Sequence, residues 1–157
     1  MEKLLIDHEF ISELKKQIQG AQKRIYAVIF LVYIHKHRTQ DDAREIRDLL
    51  IDAKKRGLDV RIIINRNLKR NLFTSQNKDF ADVMSSAGIT IVVTDTRRTT
   101  HCKIWVIDDE KVIIGSHNLT GASLHSNREI SIITENREIN EQLATYIEKQ
   151  IFETITR

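Results

Sequence analysis

The chain has 157 residues, 41% of them hydrophobic and 30% charged, with a formal net charge of +3; this is the size and balance of a single globular domain spanning 1–157, with no room for a second. A pI near 9.0 makes it mildly basic, which suits a polyanionic partner without specifying one. Its only cysteine, Cys102, excludes an internal disulfide and fits a reducing, cytoplasmic setting. The residues from Met1 to Asp7 do not read as a signal peptide, and the apolar run Tyr26 to Ile34 is far short of a membrane span, so no stable membrane association is expected.

In chain order, His8 to Gly20 has apolar residues at helical spacing, Phe10, Ile11, Leu14 and Ile18, with Gly20 as a stop. Arg24 to Ile34 is β-branched and aromatic almost throughout and predicts a central strand buried on both faces, running into the basic turn His35-Lys36-His37-Arg38. A helix is expected from Thr39 or Gln40 to Arg56, closed by Gly57, then a strand over Asp59 to Asn65. Arg66 to Asn77 reads as a polar loop, Lys78 to Ser86 as a short helix, and Ile89 to Thr94 as a strand. Asp95 to Thr100 is a loop carrying Arg97 and Arg98. Lys103 to Asp108 and Lys111 to Ser116 form a tight hairpin, Glu129 to Thr134 is another strand, and Glu138 to Phe152 closes the chain as a helix. The order α-β-α-β-α-β-β-β-β-α predicts one α/β domain, a mixed β-sheet flanked by helices on both faces.

The chemistry-bearing stretch is His101 to Asn118. Its polar positions read His101-x-Lys103-x4-Asp108-x6-Gly115-Ser116-x-Asn118. With each residue type at about 5% abundance, a chance match to six fixed positions in a chain this size is on the order of one in a million. If the segment is a strand, His101 and Lys103 leave one face about a phosphate-width apart, an imidazole nucleophile beside a fixed cation. Ser116 and Asn118 share a face of the next strand, and Gly115 allows a close approach of backbone and substrate. Cys102 and His117 alternate away: the thiol is expected on the core face and the imidazole in a structural role. Asp108 has the wrong parity for the His101 face and is expected behind the site unless the chain bends there. No cluster has metal-ligand spacing, and neither metal nor cofactor is expected.

This pattern resembles the signature of the phospholipase D superfamily, the HKD phosphodiesterases. The join from Ala53 to Asn65 is also similar to their helix-to-strand segment. The resemblance implies a phospholipase D-like fold and a metal-independent reaction in which His101 attacks phosphorus to give a phosphohistidine. Lys103, Ser116 and Asn118 would hold the phosphoryl oxygens, and Glu129 would hydrogen-bond the histidine. The superfamily's sites use two such motifs and this chain carries one. The resemblance therefore implies a homodimer whose two-fold axis supplies the second histidine, as in small single-motif bacterial endonucleases.

Arg66, Arg97 and Arg98, with His35 at the end of the long strand, are the expected phosphate-backbone contacts. Nothing reads as base recognition, so the expected activity is a nuclease with little sequence specificity. The alternatives are a phospholipid phosphodiesterase or phosphatidyl-transfer enzyme, and a non-catalytic nucleic-acid-binding module.

Overall fold

The computed structural model describes residues 2–66, 72–94 and 98–156. A seven-stranded mixed sheet runs in the order β1-β7-β6-β5-β2-β3-β4. Its parallel half is β2 (Arg24–Ile29), β3 (Asp59–Ile64) and β4 (Thr90–Val93). These are joined by crossovers through α2 (Asp42–Lys55) and α3 (Leu72–Ser86). The antiparallel half is β5 (Ile104–Ile107), β6 (Lys111–Gly115), β7 (Ile130–Glu135) and the edge strand β1 (Glu2–Ile6).

Period-two alternation divides the sheet residues between two apolar layers. Ile25, Ala27, Ile29, Ile62, Trp105 and Ile113 face α1 (Glu9–Gly20), α2, α3 and the short α4 (Gly121–His125). Tyr26, Val28, Ile63, Ile104 and Val106 face Ala144, Ile147 and Ile151 of α5 (Arg137–Ile155). The sheet is therefore covered by helices on both faces, as expected. The helix ends follow their sequence signals. Asp41 caps α2 by accepting from the Arg44 amide at 2.9 Å, and Gly57, at φ 92°, closes it in a conformation that glycine adopts freely.

Several boundaries differ from expectation. The strand predicted to Ile34 stops at Ile29, because its antiparallel neighbour β5 begins only at Ile104, opposite Val28. Beyond it the backbone turns to a different partner: the Leu119 amide donates to Leu31 O at 3.0 Å, and the Tyr33 amide donates to Leu119 O at 2.8 Å. The helix predicted from Lys78 begins at Leu72. β1 and α4 were not predicted: β1 is an edge strand with only Leu5 buried, and α4 is five residues long. His101 to Lys103 precede β5 rather than forming its first residues.

Candidate active site

Because β5 runs against β2, its first residues lie at the carboxyl ends of the parallel strands, where α/β sheets leave a crevice. β6 runs back antiparallel, so its carboxyl end, Gly115 to Asn118, arrives at the same place. The Gly115 amide donates to Lys103 O at 3.3 Å and closes the two halves of the motif on each other. Glycine is required at 115 by the neighbouring strand. A Cβ there would lie 2.2 Å from Ser131 Oγ and 2.4 Å from Ser131 Cα, so the close approach it permits is to β7.

His101 is exposed. Its ring packs against Phe30, centroids 4.4 Å apart and tilted by 60°. Lys103 Nζ lies 3.4 Å from both ring nitrogens, donates to His101 O at 2.8 Å, and sits 4.8 Å from the centre of the Phe30 ring. His101 and Lys103 are thus neighbours over one aromatic platform although they stand outside the strand. Partial burial holds the Lys103 amine below its ordinary range, opposed by the negative charge of Glu129 and by Cys102. Phe30 was invisible in the sequence as a site residue because it is one of ten consecutive apolar positions, Ile25 to Ile34.

Glu129 is buried behind Ser116. Its carboxylate accepts from Ser116 Oγ, from Ser123 Oγ at 2.8 Å and from Asn127 Nδ2 at 3.2 Å. Burial pushes its pKa upward. The three hydrogen bonds outweigh that and leave it below the ordinary glutamate value. Among the described residues its partners are these side chains rather than His101, so the expected bond to the nucleophile is replaced by a brace on the Ser116 strand. Ser123, in the middle of α4, also accepts from the Asn118 backbone amide at 2.8 Å. Asn118 Oδ1 is buried without a hydrogen-bond partner. That oxygen can only accept, so its free lone pair suits a donor; an anionic oxygen would be met by the Nδ2–H donors of the same side chain.

Other expected site residues fall elsewhere. Asp108 adopts a left-handed φ of 51°. Its carboxylate accepts from the amides of Gln22 at 3.1 Å, Lys23 at 2.8 Å and Arg24 at 3.3 Å. It clamps the hairpin to the start of β2, at the far end of β5 from His101, with about 13 Å of strand between. His117 is buried and stacked on Phe10, 4.3 Å between centroids. Its Nε2–H donates to Asp7 O at 2.9 Å and its Nδ1 accepts from Ser131 Oγ at 2.7 Å. Burial lowers its pKa, which fits a neutral structural imidazole. Cys102 is exposed, contrary to the expected core position, because His101 to Lys103 do not follow strand alternation.

Arg98 is exposed on the approach to His101, and Arg66 is exposed just past β3. Arg97 lies outside the described residues. His35 is edge-on to Tyr33 and lines a cleft of about 720 Å³ between α2 and α4. Among the described residues, no three His, Cys, Asp or Glu side chains gather to hold a metal ion.

The protein-family profile described as cardiolipin synthase, PLD-like domain matches residues 14–151. A protein named phospholipase D from Rickettsia bellii is 31% identical over 108 residues, 69% of this chain and 50% of that protein. The chain thus spans about half the length of the curated relatives it matches. The solved structure of Nuc from Salmonella typhimurium, described as a phospholipase D family member, superposes with a TM-score of 0.77 at 19% identity, covering 98% of this chain and 96% of that one. NucT from Helicobacter pylori gives 0.76 at 18% identity over the same shares. At these identities the two structures establish the fold.

Proposed function

The chain belongs to the phospholipase D superfamily, and from that premise we propose that it is a phosphodiesterase acting on nucleic acid, an endonuclease with little sequence preference. The observation that carries this reading is the exposed His101 imidazole with Lys103 Nζ 3.4 Å from its ring nitrogens, beside the Gly115-Ser116 turn. A ring nitrogen of His101 forms a bond to phosphorus while the P–O bond to the leaving group breaks. The departing oxygen takes a proton from the partner's His101. Water, deprotonated by that same imidazole, then attacks phosphorus and releases His101. Lys103 and the Asn118 Nδ2–H group stabilise the equatorial oxygens. Arg98 and Arg66 extend the cationic surface toward the rest of a polyanion.

One motif supplies one histidine, so the working unit in this reading is a homodimer. The segment from Leu119 to Leu124 is a poor contact, because Leu119, Ser123 and Leu124 are buried within the protomer. A better face is the exposed row Leu4, Ile6, Ile114 and Ile130, on the α5 side of β1, β7 and β6. It adjoins Ser116, whose amide donates to Ile130 O at 3.1 Å.

The same apolar row, with the names of the family and the curated relatives, favours a second reading, phospholipid phosphodiester cleavage or transfer. No helix among the described residues is long and apolar enough to cross a membrane. One panel separates these readings: the purified protein on single- and double-stranded DNA, RNA and phosphatidylcholine vesicles, each with EDTA and at two salt concentrations. Nucleic-acid cleavage that survives EDTA and falls with salt is expected. Cleavage of lipid alone, or strict dependence on magnesium, overturns the nuclease reading.

A further inference from the structure

His101 and Lys103 are not in a strand, and neither is Phe30, the ring beneath them. Apart from the Gly115 amide bond to Lys103 O, sheet ladders therefore do not hold these residues. A different set of hydrogen bonds does, and two buried asparagines that touch no expected substrate position supply it.

Asn77 lies inside α3, 2% exposed, where asparagine has poor helix propensity. Its side chain is spent on neighbouring strand ends. Nδ2 donates to Phe30 O and to Asn65 O, each at 2.9 Å, and Oδ1 accepts from the Val32 amide at 2.9 Å. Two donors and an acceptor on one short side chain is a set only asparagine provides. Aspartate has no donor, glutamine is one methylene longer, and leucine has neither function. The three bonds also fix the amide's orientation, since the nitrogen meets carbonyls and the oxygen meets an N–H.

Asn65, also 2% exposed, continues the chain of contacts. Its amide donates to Ile29 O at 3.0 Å, and its Oδ1 accepts from the Thr100 amide at 2.9 Å. Thr100 immediately precedes His101. Two arms thus leave Asn77 and meet at the imidazole. One passes through Phe30 and its ring to His101 and Lys103; the other passes through Asn65 and Thr100 to the His101 backbone.

We infer that Asn77 and Asn65 are positioning residues for His101 and Lys103, setting the imidazole and the amine over the Phe30 ring from behind the sheet ends. The inference rests on reading His101 as the nucleophile. A reacting group must be held within about 0.5 Å of its productive position, and here the residue before the imidazole is held by the Asn65 side chain and the residue whose ring lies beneath it by the Asn77 side chain, where strand pairing has ended.

The test compares Asn65→Ala, Asn65→Asp and Asn77→Ala with the core variant Ile147→Ala, which lowers stability from the opposite face of the sheet. The first readout needs no substrate: the NMR positions of the His101 ring protons, which the tilted Phe30 ring shifts, in protein shown to be folded by circular dichroism. Asn65→Ala is expected to move those signals, and Asn65→Asp, which keeps an acceptor for the Thr100 amide, to return them toward wild type. Ile147→Ala is expected to leave them in place. On the substrate found by the panel above, Asn65→Ala is expected to lower kcat about 10- to 100-fold with KM within about twofold. His101 signals and kcat unchanged in a folded Asn65→Ala protein would overturn the inference, as would equal movement in Ile147→Ala. If Asn77→Ala does not fold, the Asn65 pair decides. If wild type cleaves nothing, the NMR comparison still decides positioning while the phosphodiesterase reading fails separately.

Discussion

His101 is exposed and supports little of the core, so its removal isolates chemistry from folding. His101→Ala is expected to keep the wild-type melting temperature within a few degrees while turnover falls by about three orders of magnitude or more; a variant that cleaves at the wild-type rate would show that His101 is not the nucleophile. Lys103 adds a pH signature. Its amine is held below the ordinary 10.5 by partial burial, and in the proposed reaction it would stabilise phosphoryl oxygens only while protonated. Activity should therefore decline on the alkaline side before an ordinary lysine would titrate. In Lys103→Arg that limb should move to higher pH at a reduced plateau, because guanidinium stays charged and does not fit a lysine's place. A pH–rate profile of the two proteins checks this. The motif was legible because phosphoryl transfer restricts residue type at each position. Asp108 and Cys102 were misplaced by assuming that a two-residue period extends through the whole segment. The left-handed Asp108 and the irregular His101 to Lys103 both break it, and a side-chain period says nothing about where a ladder stops.

Among the elements, the packing of β6 against β7 is the tightest constraint beside the site. Gly115→Ala places a methyl group 2.4 Å from Ser131 Cα and 2.5 Å from Ile130 O, atoms that cannot move without parting the strands. It is expected to destabilise the protein by about 3 kcal/mol or more, read as a lowered urea midpoint. A midpoint near wild type would mean that the sheet relaxes cheaply. The long strands and helices were legible because each carries a full apolar stripe. β1 was not, since an edge strand buries one side chain of five and its pairing with β7 spans more than 120 positions. Nor was the end of β2: Phe30 to Ile34 keeps the composition of a buried strand after its partners have changed, and composition does not record partners.

For the whole molecule, the shared-site reading makes a quantitative demand. A forced mixed dimer of wild type and His101→Ala has no site with two imidazoles and should lack activity, whereas independent sites would retain half. Replacing Ile114 and Ile130 with aspartate should give a monomer by light scattering that has lost turnover. A fully active monomer would remove the two-fold model.

Cys102 is the only thiol in the chain, and it is exposed between the proposed nucleophile and its cation. It is therefore a unique chemical address at the mouth of the site. A maleimide dye attached there reports arriving ligands from within a few ångströms of the imidazole, and any bulky adduct obstructs the same entrance. The free-thiol titre of a preparation then becomes a gauge of how many of its sites are open, and a reductant in the storage buffer guards occupancy as much as solubility.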